Sequence, residues 1–169
     1  KEHETVLMAL ELLTPMAERM LAGSAEARVD LSKLLEFFRE FVDRCHHGKE
    51  ELALFPELVE MDVPSSGGPV GVMLHEHEVG REYVRQFGDC LTKGSTSVVQ
   101  VAQGYRSLLE AHIQKENQVL FPMAERILSE EKKARLAAAF DQIEREHAGE
   151  GCLEAYHQML QDLGKRYSP

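Results

Sequence analysis

Apolar positions recur every three to four residues along nearly the whole chain, which is the period of an amphipathic helix. No stretch alternates with the period of two that marks a half-buried strand. The pattern predicts a first helix from about Glu2 to Leu21, ending near Gly23. Asp30 stands where an N-cap would open a long second helix reaching about Met61, and Pro56 is placed to bend it. "DVPSSGGPVG" at 62–71 reads as a loop. A third helix follows to about Leu91, and "TKGSTS" at 92–97 breaks the pattern. The fourth helix runs to about Leu128, with Pro122 placed as Pro56 is in the second. A shorter helix over about 130–147, a break at "AGEG" 148–151 and a last helix ending near Tyr167 complete the chain. Four main helices with short connections predict an all-α fold. It is an antiparallel up-down four-helix bundle over about 1–128, with one or two additional C-terminal helices over about 129–169, read as a single domain.

Ionisable residues stand in the apolar stripes where leucine is expected. The stripe of the second helix reads Leu35, Phe38, Val42, His46, Glu50, Ala53, and that of the fourth reads Val101, Tyr105, Leu108, His112, Glu116, Val119. Residues four apart share one face of a helix, about 6 Å from each other along its axis. The first helix carries His3, Leu7, Leu10, Ala17 and Leu21 on one face, and the third carries Met73, His77, Gly80, Val84, Phe87 and Leu91. His3 and His77 both sit in "EHE". "HHGKEELALFP" at 46–56 and "HIQKENQVLFP" at 112–122 align without a gap through His, Lys-Glu and Leu-Phe-Pro. The chain therefore contains the same arrangement twice: a lone His on one helix, then His-x-x-x-Glu on the next. Two such hairpins packed antiparallel bring four His and two Glu to one place.

A carboxylate buried without a partner costs several kcal/mol, and a metal ion at the bundle axis removes that cost. Taken singly, each of these histidines would read as a hydrogen-bonded core residue; six matched positions favour metal. Imidazole and carboxylate donors suit first-row transition metals. Six protein ligands exceed the need of one open site but fit two metals bridged by both carboxylates. A bridging oxygen then brings each metal to about five ligands and leaves one position for a small molecule. Leu7, Val42, Leu108 and Phe87 are the expected neighbours of that position, making an apolar, narrow pocket for diatomic and triatomic ligands.

Charge removes several alternatives. The chain has 29 acidic against 19 basic residues and a formal net charge of −10, which repels phosphate backbones and anionic membranes. No apolar run approaches the length of a membrane span. No signal peptide pattern is visible, although the chain begins with Lys1 rather than Met. Cys45, Cys90 and Cys152 are far apart and form no Cys-x-x-Cys, which argues against a disulfide framework or zinc ribbon and makes the cytoplasm the default compartment. Cys45, beside His46, reads as a small buried hydrophobe.

"EHE", "HHGKEELALFP", "EHEVGR" and "HIQKENQVLFP" together resemble the hemerythrin-like proteins, the HHE cation-binding family. The resemblance covers residues 1 to about 128. It implies two non-haem iron ions, oxo- or hydroxo-bridged, on His3, His46, Glu50, His77, His112 and Glu116. The oxygen-carrying members place a second His four residues after the third-helix His, where this chain has Arg81, and an Asp five residues after the fourth-helix His, where it has Asn117. That departure weighs against reversible oxygen carriage. It leaves a binding protein for O2, NO or a related ligand, in sensing, iron handling or stress response, as the first reading. A di-iron oxidase, peroxidase, NO reductase or iron-centre repair enzyme is the second, and an iron-storing or structural bundle is the third. No flavin fingerprint or cysteine cluster accompanies the site, which weighs against the enzyme.

Several residues are set aside. The repeat frame selects His46 over His47, which lies about 100° around an α-helix from it. Glu51 stays a candidate for a bridging or supporting contact. His75 reads as surface, Tyr105 as a core aromatic, and Lys49 and Lys115 as solvent-facing. "EREH" at 144–147 and "EAYH" at 154–157 have the Glu-x-x-His spacing of ferritin-like sites but fall outside the main stripes, with His147 retained as a candidate cap on the metals.

Overall fold

The computed structural model describes residues 1–149 and 151–167, and Glu150 of the predicted 148–151 break lies outside them. Six helical stretches and no strand occur among the described residues. Helix α1 is Glu2–Leu21. Helix α2 runs unbroken over 25–60, and α3 is Gly68–Lys93. Helix α4 covers 98–127, α5 is Glu130–His147 and α6 is Cys152–Tyr167.

Local chemistry sets the ends. Ser24, not Asp30, caps α2: its side chain accepts from the Ala27 amide at 3.1 Å, and the helix starts six residues earlier than the apolar pattern suggests. Asp30 lies buried inside α2, bonded to Lys33 and Tyr167. The 62–71 loop is shorter than expected because α3 begins at Gly68, with Pro69 in its first turn where a missing N–H costs nothing. Gly94, at φ +64°, ends α3 in the left-handed conformation that glycine adopts without strain.

Helices α1 to α4 form a ring in which each packs against its chain neighbours and α4 closes onto α1, the up-down bundle that the short connections imply. Tyr83 of α3 crosses α4 at Gly104, where a Cβ would meet its ring at 2.7 Å, so that glycine permits the close crossing. Helix α6 lies on α1, and Tyr156 packs edge-on to Phe37. Helix α5 lies across α2 near Gly48.

The core is split. One cluster runs through Leu10, Leu13, Phe37, Phe38, Phe41, Tyr105 and Leu109 and extends to Leu160 of α6. The second holds Leu54, Phe55, Leu58, Met73, Leu120 and Leu136. Between them, at the same height on all four bundle helices, lie the histidines and glutamates. Most stripe positions are buried as predicted, but Val119 is 50% exposed while Leu120 is 1% exposed. A π-helical turn over Glu116–Leu120 rephases the face there.

Candidate metal centre

The π-helical turns are the local device that builds the site. Glu50–Leu54 and Glu116–Leu120 both wind with the wider i→i+5 spacing, each opening on a stripe glutamate and ending before Phe-Pro. Proline has no N–H for the regular ladder, so a changed winding just ahead of it is the expected place for the irregularity. A longer π-helical run, Phe38–His47, occurs in α2 alone. More residues per turn bring neighbours closer in angle, so His46 and His47 both turn inward, at 6% and 3% exposure.

The structure brings all six predicted residues together. Donor atoms of His3, His46 and Glu116 lie within 4.8 Å of one another, as do those of Glu50, His77, His112 and Glu116. Glu116 joins the two groups: one oxygen is 3.0 Å from His3 Nε2, the other 3.1 Å from His112 Nε2. Glu50 reaches His77 Nε2 at 3.2 Å. These contacts are of hydrogen-bond length but not of hydrogen-bond direction. Both oxygens of Glu50 and of Glu116, and Nε2 of His3, His77 and His112, are buried without a hydrogen-bond partner. Buried polar atoms are rarely left so. Atoms that converge on a common point, instead of facing one another as donor and acceptor, fit a cation between them.

The outer ring nitrogens are held. His46 Nδ1 bonds Glu2 at 2.8 Å, His112 Nδ1 bonds Glu76 at 2.9 Å, His77 Nδ1 bonds Glu51 at 2.6 Å and His3 Nδ1 bonds Asn117 at 3.1 Å. Placing the proton on each Nδ1 leaves the Nε2 lone pair for a metal. Lys49 and Lys115 carry the support outward, Lys115 from the partly exposed position expected of it and Lys49, contrary to expectation, from a buried one. Lys49 is 6% exposed and donates to Glu2 and Glu144, both at 2.6 Å, and Lys115 donates to Glu76. Phe55 stacks on His77 and Phe121 on His3, at centroid distances of 5.8 and 5.6 Å, which gives the repeated Leu-Phe-Pro its role.

Electrostatics mark the same place. Burial, then the nearby Glu116, pushes the Glu50 carboxyl well above its ordinary range. Burial also pushes Glu116 upward, but His112 and His3 outweigh it and hold the group far below that range. Burial lowers His47 and His77, and neighbouring imidazoles lower them further. Two buried carboxylates side by side lack positive charge, and nitrogen and oxygen donors without thiolate suit a divalent first-row metal.

Sequence reasoning missed part of the surroundings. His47 joins His77 and His112 in a third donor group, its ring stacked on His77 at 3.9 Å. Glu2 and Glu76 were legible in the doubled "EHE", where each precedes a stripe histidine and supports the other helix's His. His75 and His147 are exposed and stand apart from the donor groups, and Cys45 is fully buried, as a small hydrophobe would be. Arg81 pairs with Asp43, Glu51 and Glu78. Two cavities reach the site, and neither is lined by Leu7, Val42, Leu108 or Phe87, the expected neighbours of a narrow pocket. One, of about 780 Å³, opens onto His3, His46 and Glu50 beneath Phe121, Leu136 and Phe140. The other, of about 270 Å³, ends at His47 and Tyr105. Among the described residues, no helix is long and apolar enough to cross a membrane.

The family model of the hemerythrin HHE cation binding domain matches residues 1–124. The iron-sulfur cluster repair protein YtfE of Edwardsiella ictaluri (strain 93-146) is 29% identical to this chain over 133 residues, covering 73% of the chain and 60% of the relative. The chain thus matches rather less than two thirds of that relative's length. No solved structure matches.

Proposed function

Because the chain belongs to the hemerythrin HHE cation-binding domain family, we propose that its buried cluster holds two iron ions and takes up O2, NO or a related small ligand. One iron falls to His3 and His46, the other to His77 and His112, with Glu50 and Glu116 shared. The observation that supports this reading is the set of partnerless inward atoms on five of these six residues, backed by a held Nδ1 on each of the four imidazoles. Bound iron supplies the Lewis acidity and redox range that O2 and NO chemistry needs. The chain supplies the rest. Glu2, Glu51, Glu76 and Asn117 fix the ring tautomers and orientations, and Lys49 and Lys115 hold Glu2 and Glu76 in turn. The two apolar clusters flank the site on either side along the bundle axis. Three free cysteines support a reducing, cytoplasmic setting.

Iron analysis of natively purified protein, with visible absorption before and after O2, azide or NO, tests the reading. Two irons per chain and a perturbed charge-transfer band are expected. One firmly bound metal, with no second site filled on titration, would overturn it. The name of the YtfE relative favours a second reading, repair of damaged iron centres. Recovery of activity by an oxidatively damaged iron–sulfur enzyme, on adding the iron-loaded chain, would select it over ligand binding alone.

A further inference from the structure

One buried histidine has no place in the repeat. His47 answers to Ile113 of the second hairpin, which lies in the apolar cluster. Its side chain is 4% exposed, and its Nδ1 has no hydrogen-bond partner. Asp43 stands 3.6 Å from that atom, beyond hydrogen-bond length. An imidazole that serves the core alone is expected to find a partner there. The ring of His47 lies instead against the metal cluster. One of its nitrogens is within 4.8 Å of a nitrogen of His77 and of one of His112, which are as close to each other. It stacks on His77 at 3.9 Å and meets His112 edge-on at 5.7 Å. Glu50 and Glu116 fall outside this group, so His47 faces the His77 and His112 pair from a side that the shared carboxylates leave free. On the other half, His3 and His46 have only Glu116 as the third member of their group.

We propose that His47 is a further ligand of the His77 and His112 iron, which leaves the His3 and His46 iron as the one that takes up the small ligand. The assignment rests on the two-iron reading. His47, His77, His112, Glu50 and Glu116 give one iron five protein donors, whereas His3, His46 and the same two glutamates give the other four. A near-octahedral shell is then almost filled on the His47 side and more open on the other. The cavities agree with that division. The larger opens onto His3, His46 and Glu50, and the smaller ends against His47 itself. Asp43, beside Nδ1, favours the tautomer that leaves Nε2 for the metal. His47 is also the replaceable member of its set. Without it, His77, His112 and the glutamates still offer as many donors as hold the other iron, so the ion stays.

Two measurements test this. Cadmium, as a spin-active isotope, accepts an octahedral set of nitrogen and oxygen donors and stands in for iron. In cadmium-loaded protein with nitrogen-labelled histidine, a ring nitrogen of His47 should show direct coupling to the same cadmium as His77 and His112. His47→Ala should lose that coupling alone. No coupling at His47 would overturn the assignment. If the chain holds a single metal, the two-iron reading fails, and the coupling at His47 still decides its role. The second measurement is azide uptake by iron-loaded protein, followed through its charge-transfer band. The parent should bind one azide per iron pair. His47→Ala should keep both irons and bind a second azide in the position that the imidazole leaves. A parent that takes two azides, or a variant that keeps both irons and still takes one, would overturn the closed side. A parent that binds none defeats the ligand-binding reading, while the cadmium coupling still decides His47.

Discussion

The two hairpins, 1–61 and 68–128, share one set of parts and differ in another. Glu2 and Glu76, His3 and His77, His46 and His112, Lys49 and Lys115, Glu50 and Glu116, and Phe55 and Phe121 are matched in kind, and the contacts of each recur in its counterpart. The unmatched positions tell the halves apart. His47 answers to Ile113, Asp43 to Leu109, Glu51 to Asn117 and Arg81 to Leu7. The four polar members gather around His77: His47 stacks on it, Glu51 bonds it, and Arg81 ties Glu51 to Asp43. Their counterparts Ile113, Leu109 and Leu7 lie in or against the apolar cluster, and Asn117 gives His3 a neutral partner. The matched residues thus build a symmetric cradle, while the unmatched ones make one side charged and the other apolar. Unequal sides of one metal pair are the physical basis for unequal ligand access.

Removing metal from both halves gives the largest effect. Glu50 and Glu116, at 3% and 0% exposure, are then left buried without a cation. Such a state is several kcal/mol less stable, and at this chain length each kcal/mol shifts the midpoint by about 2–4 °C. Chelation should lower the melting temperature by about 10 °C; coincident melting curves would show that the carboxylates are satisfied otherwise. Removing one half comes next. His46→Ala should cut metal content to about one ion per chain, whereas His47→Ala, at a position with no counterpart in the repeat, should keep both. Metal analysis of the two variants decides this, and a reversed result would place His47 in the primary ligand set. A third experiment isolates the unmatched support. Glu51→Gln replaces a carboxylate on His77 Nδ1 and also loosens Arg81, so affinity on that side should fall by roughly tenfold to a hundredfold. Asn117→Ala removes a weaker, exposed partner of His3 and should cost less. Stepwise metal titration of both variants tests the order, and equal losses would erase the asymmetry.

The repeat was the readable part of this site because it is written in residue identity: histidine and glutamate inside apolar stripes, at one spacing, twice. Most helix limits were readable from periodicity, Gly23 and the "TKGSTS" break, but α2 opens at Ser24 rather than Asp30 and the loop read at 62–71 shortens to 62–67. What escaped depends on winding. An ideal α-helix puts His47 about 100° from His46, and only the π-helical run through His47 turns both inward. Nothing in a hydropathy pattern distinguishes the i→i+5 ladder from the ordinary one. The cavities escaped for a related reason, since they lie where α5 and the arginine-bearing faces of α2 and α3 meet the bundle. Lys49 was misjudged because a lysine beside a buried glutamate reads as solvent-facing until its partners Glu2 and Glu144 arrive from other helices.

The smallest effect concerns the cover over the first hairpin. Asp30 is 1% exposed and accepts from Tyr167 at 2.9 Å and from Lys33 at 2.8 Å, with Arg166 at 2.7 Å. The position that answers to it in the second hairpin, Thr96, precedes α4 and has no such clamp. Burial pushes the Asp30 carboxyl up, but Lys33, Tyr167 and Arg166 outweigh it and leave it below its ordinary value. A folded value lowered in this way contributes stability that is fully present above the unfolded value, near 4, and that fades as the pH falls through the folded one. Tyr167→Phe removes one hydrogen bond, worth about 1 kcal/mol, so the midpoint at neutral pH should fall by roughly 2–4 °C. Asp30→Asn should be more damaging at pH 7 than at pH 3, because pH 3 lies below the unfolded value, where the contribution of the lowered carboxyl is no longer complete. Both are measured on metal-free protein, so that release of iron in acid does not enter. An Asp30→Asn penalty that stays constant from pH 7 to pH 3 would show that the carboxylate is not held charged by α6. The first hairpin would then owe α6 its apolar contacts and the pairs Lys1–Glu154 and Glu26–Arg166.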